Sequence, residues 1–124
     1  MHRLIRSTAG LAVAVLFVAL AAAPASAATK SCKQEIKGKE RKLGATYVTV
    51  VKVTGVSCST GFGVVKSFNG CRRSNGGADG RCTKKVKGYK CTEGKRLKGP
   101  LSYDADVTCK TGSKRIAFHY QQNT

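Results

Sequence analysis

The stretch from Thr46 to Cys71 is the one part of this chain with enough apolar pattern to seed a core, so everything else must pack around it. From Tyr47 to Val56 β-branched residues dominate. Tyr47, Thr49, Val51 and Val53 alternate with Val48, Val50, Lys52, Thr54 and Val56. Both faces are partly apolar, which predicts a central strand covered by a helix on one side and by a loop or arm on the other. Ser57 or Ser59 can cap the following helix, in which Phe62, Val65 and Phe68 recur every third residue, and Asn69-Gly70 is a stop signal. Gly61 and Gly63 each cost roughly 1 kcal/mol relative to alanine in a helix. That helix therefore needs tertiary support, and Cys58 and Cys71 at its two ends can supply it.

The N-terminus bounds the compartment. Residues 1–27 carry a short basic start (His2, Arg3, Arg6), an apolar run from Leu11 to Ala23 and the sequence Ala25-Ser26-Ala27, the pattern of a cleaved export signal. The run is too short and alanine-rich for a membrane span, and no second one follows, so no transmembrane segment is expected after its removal. Residues 28–124 then form a chain of 97, the size of one domain. Within it, residues 28–45 read as a basic N-terminal arm and residues 46–124 as a single folded unit.

All six cysteines (Cys32, Cys58, Cys71, Cys82, Cys91, Cys109) fall after the cleavage point. An even count in a small exported chain predicts three disulfides, each contributing about 2 to 4 kcal/mol. Cys71 is expected to pair with Cys82 across a short polar loop and Cys58 with Cys109 on the helix side of the sheet, leaving Cys32 for Cys91. Zinc is not expected, because no C-x-x-C occurs and His119 is the only histidine after the signal. No cofactor is expected either.

The last third is the most legible. Gly88-Tyr89-Lys90-Cys91 starts a strand, and Gly94 to Gly99 is a basic connector before Pro100. Tyr103, Ala105, Val107 and Cys109 alternate with polar residues, as do Ile116, Phe118 and Tyr120. A turn at Thr111 and Gly112 would set Val107 opposite Ile116, Ala105 opposite Phe118 and Tyr103 opposite Tyr120. On the outer face it would set Asp104 opposite His119 and Thr108 opposite Arg115. The expected architecture is α+β: one short helix on an antiparallel sheet of about four strands, in the order β-α-β-β-β, braced by disulfides.

The motifs V-T-G-V-S-C (Val53 to Cys58), G-Y-K-C (Gly88 to Cys91), V-T-C (Val107 to Cys109) and R-I-A-F (Arg115 to Phe118) resemble those of a group of small exported cysteine-containing proteins of unknown function from high-GC Gram-positive bacteria. The resemblance spans roughly Val48 to Tyr120. It implies a secreted module without known catalytic residues.

Charge carries the functional expectation. The chain has a net charge of +17, and loss of Arg3 and Arg6 with the signal leaves +15. Such a protein will meet anionic partners such as wall teichoic acids, phospholipid headgroups and acidic glycans, and nucleic acid by charge alone. The absence of tryptophan leaves little for base stacking. Arg72 to Arg81 reads as a glycine-rich loop presenting Arg72, Arg73 and Arg81, with Lys84, Lys85 and Lys87 following as further contact candidates. The expectation is a non-enzymatic, surface-associated or secreted binding protein for anionic polymers. One competing class is a protease inhibitor using the Arg72 to Arg81 loop. The other is a small ribonuclease using His119 oriented by Asp104. No nucleophile triad, phosphate-binding lysine loop or calcium loop supports other chemistry.

Overall fold

The β-branched stretch forms β2 (Tyr47–Thr54), an inner strand between the short edge strand β1 (Thr29–Ser31) and β6 (Lys114–Asn123). The long hairpin of β5 (Ser102–Thr111) and β6 follows, and β3 (Lys90–Glu93) pairs with the far side of β5. The two-residue strand β4 (Leu97–Lys98) pairs with an earlier part of β5. The result is a six-stranded antiparallel sheet in the order β1-β2-β6-β5-β3, with the helix α1 (Cys58–Ser74) on one face. The fold class is α+β as expected, with β1 and β4 added to the four strands anticipated. This computed structural model describes residues 14, 18–21 and 27–124, so the export signal expected at residues 1–27 lies almost wholly outside the described residues.

Simple alternation in β2 breaks at a bulge between Val48 and Val50. An extra residue in one strand changes the parity of everything beyond it, so Val48, Val51 and Val53 all face the core. Val50, Lys52 and Thr49 are left on the open face.

Ser57 caps α1, its hydroxyl accepting from the Thr60 amide at 3.1 Å. Phe62, Val65 and Phe68 are buried against the sheet, and Phe68 meets Phe118 and Tyr120 edge-on. Asn69-Gly70 does not stop the helix. Asn69 is fully buried and its amide donates to the Leu43 carbonyl at 2.8 Å, so the side chain is used for packing rather than for a turn. Four more residues remain helical, including Arg72 and Arg73.

Gly61 is where helix and sheet come closest. A Cβ there would stand 2.6 Å from Val53 Cγ1, nearer than real Cβ contacts allow. The glycine that looks costly in the helix is the one that lets it seat. Gly61→Ala is expected to destabilise by about 1 to 3 kcal/mol through overpacking, against a propensity gain of roughly 1 kcal/mol. A urea midpoint at or above that of the parent protein would show that the helix lifts without cost.

The β5–β6 turn is Gly112-Ser113, with Thr111 paired to Lys114 and Gly112 at φ +55. Relative to the expected turn, the register moves by two residues. Val107 faces Phe118, Ala105 faces Tyr120 and Tyr103 faces Gln122. A shift of two keeps each side chain on its own face but replaces its neighbours.

Three disulfides close the fold: Cys32–Cys58, Cys71–Cys82 and Cys91–Cys109. The short-loop pairing of Cys71 with Cys82 is as expected; the other two expected pairs are not formed. Cys91 and Cys109 are direct cross-strand partners on β3 and β5, which leaves Cys109 no reach to Cys58. Cys58 instead meets Cys32, carried to the start of α1 by β1 alongside β2. Residues 28–45 are accordingly no free arm: Cys32, Ile36, Leu43 and Ala45 belong to the same buried cluster as the sheet.

Candidate functional site

Two groups of charged residues lie on opposite sides of the sheet. The first is inside. Arg72, on the last turn of α1, has no exposed surface. Its Nε donates to Asn69 Oδ1 at 2.8 Å, Nη2 to Gln122 Oε1 at 2.7 Å, and Nη1 to Tyr103 Oη and the Ala78 carbonyl at 3.2 Å each. Its guanidinium also stacks 4.4 Å from the centre of the Tyr120 ring. Burial lowers its pKa from the ordinary arginine value, yet an arginine so far from neutrality stays charged.

Arg96 works on the same segment. It donates to the Asp79 carbonyl at 2.8 Å and the Gly80 carbonyl at 2.6 Å, and pairs with Glu93 at 3.2 Å. Tyr120 donates to the same carboxylate, and burial together with that bond raises the phenol's pKa. Gly80 closes the arrangement, since a Cβ there would stand 1.8 Å from the Arg72 carbonyl oxygen. Two buried arginines thus satisfy three successive carbonyls, Ala78 to Gly80, of a segment that has a single 3-10 turn (Gly77–Asp79) of its own.

This corrects the expected arginine loop. Arg72 points into the core because its donors are consumed there, Arg73 stands on the helix with Nη1 on the Gly44 carbonyl at 3.2 Å, and Arg81 pairs with Glu93 at 2.8 Å. The three do not form one surface. Lys84 and Lys85 border a separate hollow of about 390 Å³ beside the helix C-terminus, and Lys87 lies over the helix near Gly63.

The second group is on the sheet face away from α1. Pairing across the strands sets its side chains in rows. Lys90 (β3), Lys110 (β5) and Arg115 (β6) are consecutive cross-strand partners, continued by Thr54 and Thr29. The next row is Thr92, Thr108, Ala117, Lys52 and Ser31. Beyond it come Asp106, His119 and Val50. Strands stand about 4.8 Å apart, so the three cations of the first row fall within roughly 10 Å. None of them enters an ion pair among the described residues. They border a basin of about 540 Å³ that Thr92, Thr108 and Asp106 complete.

His119 is held by Asp106, its direct cross-strand partner, with Nδ1 2.8 Å from Oδ1; Asp104, the expected partner, is one row away and 3.6 Å from Nε2. Both ring nitrogens therefore face carboxylates. That surrounds the imidazole with negative charge and suits a cross-strand pair better than contact with a phosphate.

The cation row was hidden by register. Lys90, Lys110 and Arg115 each read as solvated lysines or arginines, and a turn placed one residue early, which moves the register by two, puts Thr108, not Lys110, opposite Arg115. The signal that could have found it is the shared outward parity of the three residues on successive strands. Compared with known protein families, curated proteins and solved structures, the chain finds no match in any of the three.

Proposed function

We propose that this protein is an exported, non-enzymatic binding module that holds anionic polymers on the open face of its sheet. The row Lys90–Lys110–Arg115 carries the reading. Like charges placed directly opposite on neighbouring strands destabilise a sheet, and here two such contacts follow one another without a carboxylate between them. A bound anion relieves that repulsion, and three cations within about one Debye length act on it together. The export pattern of residues 1–27 and the three disulfides agree with an oxidising compartment outside the cytoplasm. No helix among the described residues is long and apolar enough to cross a membrane. The protease-inhibitor reading loses its support with the arginine loop tied down. The ribonuclease reading loses it with His119 held between two acids.

A salt titration of the oxidised protein tests the proposal. Against single-stranded RNA as a generic phosphate chain, log affinity should fall linearly with log salt, with a slope of about −2, near 0.7 for each of three neutralised phosphates. A Lys84→Gln/Lys85→Gln variant should keep most of that slope. If it loses as much as the whole protein has, the binding face is the helix side and the proposal fails.

A further inference from the structure

The basin is not uniformly basic. Asp106 lines it together with Lys90, Lys110, Arg115, Thr92 and Thr108, and its side chain is 85% exposed. A surface built only to hold dense negative charge would exclude that carboxylate. An ionised carboxylate is an acceptor without donors, so it repels a continuous run of anions and takes a hydrogen bond from a hydroxyl. Asp106 Oδ1 is fixed by His119 Nδ1, which orients the group.

The floor points the same way. Ala117, on the central strand β6, has longer side chains on every side: Thr108 and Lys52 across the strands, Arg115 and His119 along its own. A second hollow of about 350 Å³, reaching His119 and Lys52, adjoins the first through Asp106 and Thr108. Along β6 the row of Arg115 and the row of His119 are four residues apart, roughly 14 Å at about 3.4 Å per residue. That length accommodates phosphates along the cation row and a small hydroxylated unit over Ala117. No aromatic side chain lines the first hollow; in the second, Phe118 is buried against the helix and the His119 ring, held by Asp106, is the one other aromatic group, which leaves little for base stacking.

We infer that the open face selects phosphodiester polymers whose linking unit is a small polyol with free hydroxyls, with Lys90, Lys110 and Arg115 holding successive phosphates and Asp106, Thr92 and Thr108 reading the hydroxyls. The inference rests on the anion-binding reading above and narrows it. Asp106 is the discriminating residue: the cations attract every polyanion, and the carboxylate penalises those that have no hydroxyl to offer.

The test compares poly(glycerol phosphate) with inorganic polyphosphate of equal phosphate number, and with single-stranded RNA, at one pH and ionic strength. Poly(glycerol phosphate) should bind the parent protein roughly tenfold more tightly than polyphosphate, the size expected for one hydrogen bond to a charged group. Asp106→Asn, which keeps an acceptor for His119, should tighten polyphosphate and erase the preference. Lys110→Gln should weaken both polymers in parallel, which shows that the basin and not another surface is being read. Equal affinity of the parent protein for the two polymers, an Asp106→Asn effect alike on both, or RNA binding more tightly than poly(glycerol phosphate) overturns the selectivity while leaving anion binding in place. Failure of all three polymers to bind overturns the anion-binding reading itself.

Discussion

Arg72→Ala should lower stability by about 3 to 5 kcal/mol, the range for truncating a large buried side chain, since it also leaves buried hydrogen-bond partners unmet. In a domain of this size that is a fall in melting temperature on the order of 20 °C. The loss has three parts. Asn69 and Gln122 lose their donor and the Ala78 carbonyl one of its two, the Tyr120 ring loses its stacked cation, and a void opens beneath the segment from Ala78 to Gly80. Arg72→Met keeps much of the stem and separates packing from the polar network; it should recover only part of the deficit. Thermal unfolding of both variants with disulfides intact checks this. A fall of only a few degrees in Arg72→Ala would mean that Arg96 and Tyr103, which donates to Ala78 at 2.6 Å, hold the segment without it.

Replacing the cation row should do the opposite to stability. The combined variant Lys90→Gln/Lys110→Gln/Arg115→Gln removes two directly opposed like-charge pairs. Relief of about 0.2 to 1 kcal/mol at each predicts a protein more stable than its parent by about 1 kcal/mol at low salt, the difference shrinking as salt screens it. The same variant should lose nearly all salt-dependent binding to phosphate polymers, its log–log slope falling by about 2. A gain in stability coupled to a loss of binding is the expected signature of residues kept for a ligand rather than for the fold. Lower stability in the variant would instead assign the row a structural part, and binding that survives would move the site off this face.

The hairpin shows how far local pattern reaches. In Tyr103, Ala105, Val107 and Cys109, and in Ile116, Phe118 and Tyr120, alternation assigned each side chain to the inner or outer face, and the structure agrees. It could not place the turn, because Thr111-Gly112 and Gly112-Ser113 both leave the same faces in register. Only the second aligns Lys110 with Arg115. In β2 the same rule misplaces Val48 relative to Val51, since a bulge leaves no mark in the residue types around it. Arg72 is the clearest case of missing information: it follows an Asn-Gly pair and precedes a glycine-rich run, the setting of a surface loop. Its burial depends on Gln122, Tyr103 and Tyr120, each distant in the chain, meeting the helix end.

The sequence by itself determined the α+β class, a helix start within Ser57 to Ser59, the inner and outer partition of the long hairpin and the excess of positive charge, because each depends on composition or on residues within a turn or a strand of one another. Tertiary structure alone decided the register of that hairpin, two of the three disulfides, the inward course of Arg72 and the gathering of Lys90, Lys110 and Arg115 into one row. Those depend on which distant segments come together, and a local pattern compatible with several pairings contains no term that chooses among them.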